Sequence, residues 1–208
     1  HFLRFTILFL MTCSTVLAAK EVPIGLPLGY AVNIQSISTA KIKYAKSLGI
    51  DYIELANVGS LLDADLNLKY DADYWRAKMK EIKTILDAEG MRVWSVHMPF
   101  SKSIDISILQ EDERIKVINA HLQLAEVLAL LKPTFLLFHP SYYLEVNRRE
   151  ERIAQLVASV NTLDQELNKL DMQVVVENML GPELTVGAQE RPLLRTIAEC
   201  EYVFAQLP

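Results

Sequence analysis

Four ionisable residues stand at or near the ends of apolar runs, and they recur at nearly constant intervals. They are Glu54 in Ile-Glu-Leu-Ala, His97 in Val-His-Met-Pro-Phe, His139 in Phe-His-Pro-Ser and Glu177 in Val-Glu-Asn-Met. The intervals are 43, 42 and 38 residues. Each interval holds one strand and one helix with their turns. A chain that keeps this interval returns all four residues to the same end of a parallel sheet, the C-terminal end of its strands. That is the end on which α/β barrels build their sites.

The segments between these residues fit that reading. Strands are expected at Leu28–Ile34, Asp51–Leu55, Arg92–His97, Thr134–His139 and Gln173–Glu177. They are nearly continuous apolar runs, as parallel strands covered on both faces should be. Helical periodicity fills the gaps. Ile42, Ala45 and Leu48 share one face and Gly49 ends that helix. Trp75, Met79, Ile82 and Leu86 share another, closed by Gly90. Ile115, Ile118, Leu122 and Ala125 are expected inward on a helix over Glu111–Leu131 that Pro133 stops. A fourth helix is expected over Arg148–Leu170 and a fifth from Pro192 to Leu207. Asn57 to Tyr70 reads as a polar loop. The alternation predicts an α/β fold; periodicity by itself does not separate a barrel from an open sheet.

Residues 1–19 stand apart from this pattern. Arg4 precedes an apolar run from Phe5, and Val16-Leu17-Ala18-Ala19 offers small residues for cleavage. The segment reads as a secretory signal peptide, with residues 20–208 as the folded domain. The run is shorter than the roughly 20 residues that span a bilayer, so no stable membrane span is expected after cleavage. The protein is therefore expected to be secreted or periplasmic. Only Cys200 remains in the mature part, which excludes an internal disulfide. The net charge is -5, and no basic tract exceeds Arg148-Arg149. That balance disfavours a dedicated nucleic-acid binder.

A single histidine at a strand end is more often a hydrogen-bonded loop residue than a ligand. Here His97 and His139 both stand at strand ends, and both precede a proline by one or two residues. Glu177 follows three valines, where an unpaired carboxylate would be costly to desolvate. Two imidazoles and two carboxylates converging on one rim suggest a divalent metal, with manganese, zinc or cobalt better suited than calcium. Glu54 stands either in the site or in a hydrogen bond across the barrel mouth. His121 falls mid-helix and reads as a surface or packing residue. The Tyr142-Tyr143 pair after His139 is either a stacking platform or an ordinary exposed loop.

The ordered motifs Leu-Gly-Ile-Asp-Tyr-Ile-Glu-Leu, Val-His-Met-Pro-Phe, Phe-His-Pro-Ser and Val-Val-Glu-Asn resemble the sugar phosphate isomerase/epimerase group of the xylose-isomerase-like TIM-barrel superfamily. The resemblance covers about residues 24 to 208. It implies a (β/α)8-type barrel and a metal-dependent isomerase or epimerase that moves a proton through an enediolate. It implies Glu177 as metal ligand and catalytic group, and Asn178 and Glu54 as substrate-binding positions. His97 and His139 match zinc ligands of the apurinic endonuclease branch; in many isomerases they line the substrate pocket instead. The implied partner is a small-molecule sugar, with oligomerisation left open. The family also expects an Asp and His after a sixth strand, a His on the seventh and a Glu on the eighth. None is present before Pro208, and such a barrel takes about 250 residues. The expectation is an incomplete barrel of five to six βα units, inactive by itself. The competing expectations are a zinc phosphodiesterase and a non-catalytic carbohydrate-binding barrel.

Overall fold

The computed structural model describes residues 26–142, 148–179 and 193–207. The expected leader, Tyr143 and Pro192 lie outside the described residues. The elements run β1 (Leu28–Asn33), α1 (Thr39–Ser47), β2 (Ile50–Ala56), α2 (Ala72–Ala88), β3 (Arg92–His97), α3 (Glu111–Leu128), β4 (Phe135–Phe138), α4 (Arg149–Leu167), β5 (Gln173–Val176) and α5 (Ile197–Phe204). The five strands form one parallel sheet in the order of the chain. Consecutive parallel neighbours joined through helices are the repeating unit of a (β/α) barrel. Among the described residues, no helix is long and apolar enough to cross a membrane.

Local chemistry sets where the helices begin and end. Ser38 Oγ accepts the Lys41 N–H at the start of α1, and Asp71 Oδ1 accepts the Tyr74 N–H at the start of α2. Gly49 and Gly90 follow those helices at φ 78° and 61°, the left-handed conformation that glycine adopts without steric cost. The fifth helix starts at Ile197 rather than Pro192, because Thr196 Oγ1 accepts the Glu199 N–H and caps it there. Arg149 then grips Glu199 through two 2.6 Å hydrogen bonds, tying α5 to α4.

One face of the sheet packs on the helices. Ile53, Leu55, Val96 and Leu136 are fully buried there, with Met79, Leu124, Leu128, Leu156 and Leu163 from the helices in the same core. Two residues expected inward are not in that core. Leu48 is 56% and Ile115 47% exposed. Leu48 follows the last residue of α1, and Ile115 lies outside the buried face of α3, which runs through Val117, His121, Leu124 and Leu128. The expected polar loop after β2 is likewise partly core. Val58, Leu61 and Leu62 are buried around a 3₁₀ turn at Val58–Leu61.

Strand β3 carries a bulge. Ile53 pairs with Val93 but Glu54 pairs with Ser95, so Trp94 is the extra residue. The insertion resets the alternation of faces. Val93 and Val96, three apart, both bury on the helix side, while Ser95 and His97 align with Phe135 and Leu137 on the inner face. Strict alternation from Val93 would have turned His97 toward the helices.

Candidate metal centre

The strand ladder determines which side chains meet at the rim. His97 is level with Leu137, and Leu137 is level with Val175. His139 and Glu177 therefore share the next inward level, one step above His97. Two backbone hydrogen bonds carry the ladder past the strand ends: Met98 N–H to Leu137 O at 2.9 Å and Glu177 N–H to Phe138 O at 3.0 Å. Such a stagger between neighbouring strands accompanies the strand tilt of a barrel.

His97, His139 and Glu177 converge on one point. His139 Nε2 lies 3.1 Å from His97 Nε2 and 3.1 Å from Glu177 Oε2. His97 Nε2 lies 3.7 Å from Glu177 Oε2. Glu177 Oε2 is buried, yet neither imidazole aims an N–H at it, and it accepts no hydrogen bond among the described residues. Three lone-pair atoms face one another with at most one proton to share between the two nitrogens. Ligands arranged tetrahedrally about an ion at about 2.1 Å would stand about 3.4 Å apart. The spacing and donor chemistry of this group thus fit a divalent cation.

Electrostatics favour the neutral, ligating form of His139. Burial holds its pKa below the ordinary imidazole range; the Glu177 carboxylate pulls it back up and His97 pushes it down again. With Nε2 unprotonated, the proton sits on Nδ1, which has no acceptor among the described residues. The Phe100 ring stacks on the His139 ring at 3.5 Å and 11°, and meets His97 edge-on at 5.8 Å. Phe100 is also 41% exposed, so it forms an apolar wall at the mouth of the donor cluster. A cavity of about 390 Å³ opens beside it, bordered by His97, Asn57, Asp63 and Ser101.

The other residues singled out in the sequence lie elsewhere. Glu54 is level with Ser95, one inward step below His97, and its Oε2 accepts the Ser95 hydroxyl at 2.7 Å. It is not a member of the donor cluster. Asn178 is exposed beside Glu177. Tyr142 is half-buried, with its ring 6.3 Å from that of Phe100. His121 is a packing residue, fully buried on α3 and edge-on to Phe138 at 5.1 Å. Phe100 was missed in the sequence. Its signal was an aromatic directly after a strand-end His-Met-Pro.

Residues 42–207 match the family model described as the xylose isomerase-like TIM barrel. The chain belongs to this family. Solved structures of similar fold include a D-tagatose 3-epimerase-like protein, at TM-score 0.61 and 15% identity over 85% of this chain and 60% of that one. The 3-keto-D-glucoside 4-epimerase of E. coli aligns at TM-score 0.57 and 14% identity, over 85% of this chain and 63% of its own. The D-allulose 3-epimerase of Methylomonas sp., bound to D-allulose, aligns at TM-score 0.61 and 15% identity, over 88% and 59%. At these identities the likeness is one of fold. The chain spans about three fifths of the length of these family structures. No curated protein is a significant sequence match. Within the xylose isomerase-like barrel, the donor cluster lies at the C-terminal ends of β3, β4 and β5, the end where TIM-barrel sites are built.

Proposed function

We propose that this protein is a metal-dependent isomerase or epimerase of a sugar or sugar derivative. The observation that carries the reading is the convergence of His97 Nε2, His139 Nε2 and Glu177 Oε2 within 4.8 Å of one another. Sugar epimerases among the structures of similar fold support it. His97, His139 and Glu177 would hold manganese, zinc or cobalt, which polarises a substrate carbonyl and acidifies the neighbouring C–H.

The chain's own residues supply the rest. Oε2 of Glu177 is turned to the histidines, and Oε1 is left to take a proton from the carbon beside the carbonyl and return it. Returning it to the neighbouring carbon moves the carbonyl; inverting the centre needs a second acid on the opposite face of the substrate to deliver the proton there. Asn178, exposed next to Glu177, would hydrogen-bond a substrate hydroxyl. Phe100 offers its ring to the apolar C–H face of a sugar and keeps water from the covered face of His139. Glu54, held by Ser95, shapes the floor below. The leader-like segment at residues 1–19 supports delivery outside the cytosol, and with it a free rather than phosphorylated sugar.

The test is incubation of the full-length protein with free ketohexoses and keto-glucosides in deuterated water. Deuterium entering beside the carbonyl, lost on Glu177→Gln, supports the reading; no exchange with any of them contradicts it.

One observation favours a second reading. Two imidazoles and one carboxylate already form a three-donor set, as a zinc hydrolase needs for activating water. Chelator-sensitive cleavage of an abasic-site duplex would support a phosphodiesterase of the endonuclease type. The net charge of -5 weighs against it.

A further inference from the structure

The loop from β3 to α3 contains a buried run, Ile104-Asp105-Ile106-Ser107, with exposures of 5%, 5%, 2% and 0%. A carboxylate buried this far must be fully partnered. Asp105 Oδ1 accepts the Ser107 N–H at 2.8 Å and the Ser107 hydroxyl at 2.7 Å. Oδ2 accepts the Tyr142 N–H at 2.9 Å and faces Arg152 Nη1 of α4 at 3.4 Å. Arg152 also reaches the Ser107 carbonyl and hydroxyl at 3.4 Å. One side chain thus joins the loop that follows His97 to the loop that follows His139, and both to α4.

Tyr142 is three residues past His139, with Pro140 between them. Proline fixes its own φ and restricts the residue before it, which is His139. Holding the Tyr142 amide therefore limits where the His139 backbone sits. Ser141 is fixed as well; its Oγ accepts the Leu193 N–H at 2.9 Å. Neither Asp105 nor Arg152 belongs to the donor cluster.

We propose that Asp105 is a positioning residue for His139: its clasp on the Tyr142 amide sets the imidazole in place and so sets the metal affinity of the His97–His139–Glu177 group. The proposal rests on the reading of that group as a metal site. Residues that orient metal ligands from behind typically cost about 10- to 100-fold in affinity when replaced.

The test compares wild type with Asp105→Asn and Ser107→Ala. An asparagine has one acceptor oxygen where two backbone N–H groups need one each, so Asp105→Asn breaks one of them. Ser107→Ala removes a hydroxyl from the same buried network and leaves the Tyr142 contact intact. Urea unfolding gives the stability lost by each variant. Cobalt(II) titration, followed by its visible spectrum, is expected to show binding about 10-fold or more weaker in Asp105→Asn and close to wild type in Ser107→Ala. In metal-free protein, Asp105→Asn should shift the His139 ring resonances and speed exchange of the Tyr142 amide. Wild-type cobalt affinity with unshifted ring resonances in folded Asp105→Asn overturns the proposal. So does equal weakening by both variants in proportion to lost stability. If wild type binds no cobalt, the metal reading fails, and the metal-free His139 resonances alone decide whether Asp105 positions the ring. If Asp105→Asn does not fold, Arg152→Lys replaces it; weaker cobalt binding supports the clasp and wild-type affinity overturns it.

Discussion

The two faces of the sheet follow different rules. The helix-side face is dry: Ile53, Leu55, Val96 and Leu136 are fully buried among aliphatic neighbours. The inner face is mixed. Tyr52, Trp94 and Phe135 stack edge-on at 5.4 and 5.1 Å, Ser95 holds Glu54, and His97, His139 and Glu177 crown the strands. Trp94 remains 49% and Val175 37% exposed there. The helix side carries the packed core of this region, and the inner side carries the proposed metal site. Replacements on the two faces should therefore separate folding from metal binding.

The largest effect is expected from the helix side. Leu136→Ala should cost about 2–5 kcal/mol, read by urea unfolding, because a filled site cannot collapse around the lost atoms. An equally large loss from an inner-face residue such as Trp94→Ala would erase the distinction.

His121 tests the same packed layer by pH. Burial lowers its pKa to about 3, and neither ring nitrogen has a hydrogen-bond partner among the described residues. The unfolded chain takes up a proton near pH 6.5, which the folded chain refuses until near pH 3. This contribution is therefore fully present above pH 6.5 and is lost progressively as the pH falls toward 3. The slope is up to about 1.4 kcal/mol per pH unit. His121→Leu should flatten that acid limb and be at least as stable at pH 7. An unchanged limb would show that His121 is not the group responsible.

Gly59 probes the loop behind the rim. A Cβ there would stand 2.7 Å from Pro99 Cβ, a rigid ring that cannot swing aside. Gly59→Ala should cost about 1–3 kcal/mol and weaken metal binding by pushing on the His97-Met98-Pro99 segment. Metal affinity that stays at the wild-type value would separate this loop from the site. The smallest effect is expected from Ser95→Ala, about 1 kcal/mol for one hydrogen bond to Glu54, with metal affinity untouched. A large loss of affinity would bring Glu54 back into the site.

The helix-side face was the more legible one in the sequence. Apolar runs located all five strands within a residue or two, and Gly49 and Gly90 marked real helix ends. Periodicity failed at Leu48, which lies just past the end of α1, and at Ile115, because the buried face of α3 centres on Val117, His121, Leu124 and Leu128 rather than on Ile115 and Leu122. The strand-end histidines and Glu177 were visible because three intervals agreed. Glu54 was placed at the same rim by the same spacing, yet two further residues, Leu55 and Ala56, follow it in β2, so it stands lower in the barrel. The bulge at Trp94 was not legible, since one extra residue leaves no mark in an apolar run except valines three apart. Asp105 was missed for a related reason. Its Asp-Ile-Ser looks like any polar turn until Tyr142 and Arg152 close on it from distant parts of the chain.

The central claim is that the ends of β3, β4 and β5 form one metal site. Equilibrium dialysis of chelator-stripped protein against zinc tests it most directly. The account predicts one tightly held equivalent in wild type, lost on His139→Ala and on Glu177→Ala while the fold persists. No stoichiometric zinc in wild type, or zinc retained after either replacement, would contradict it.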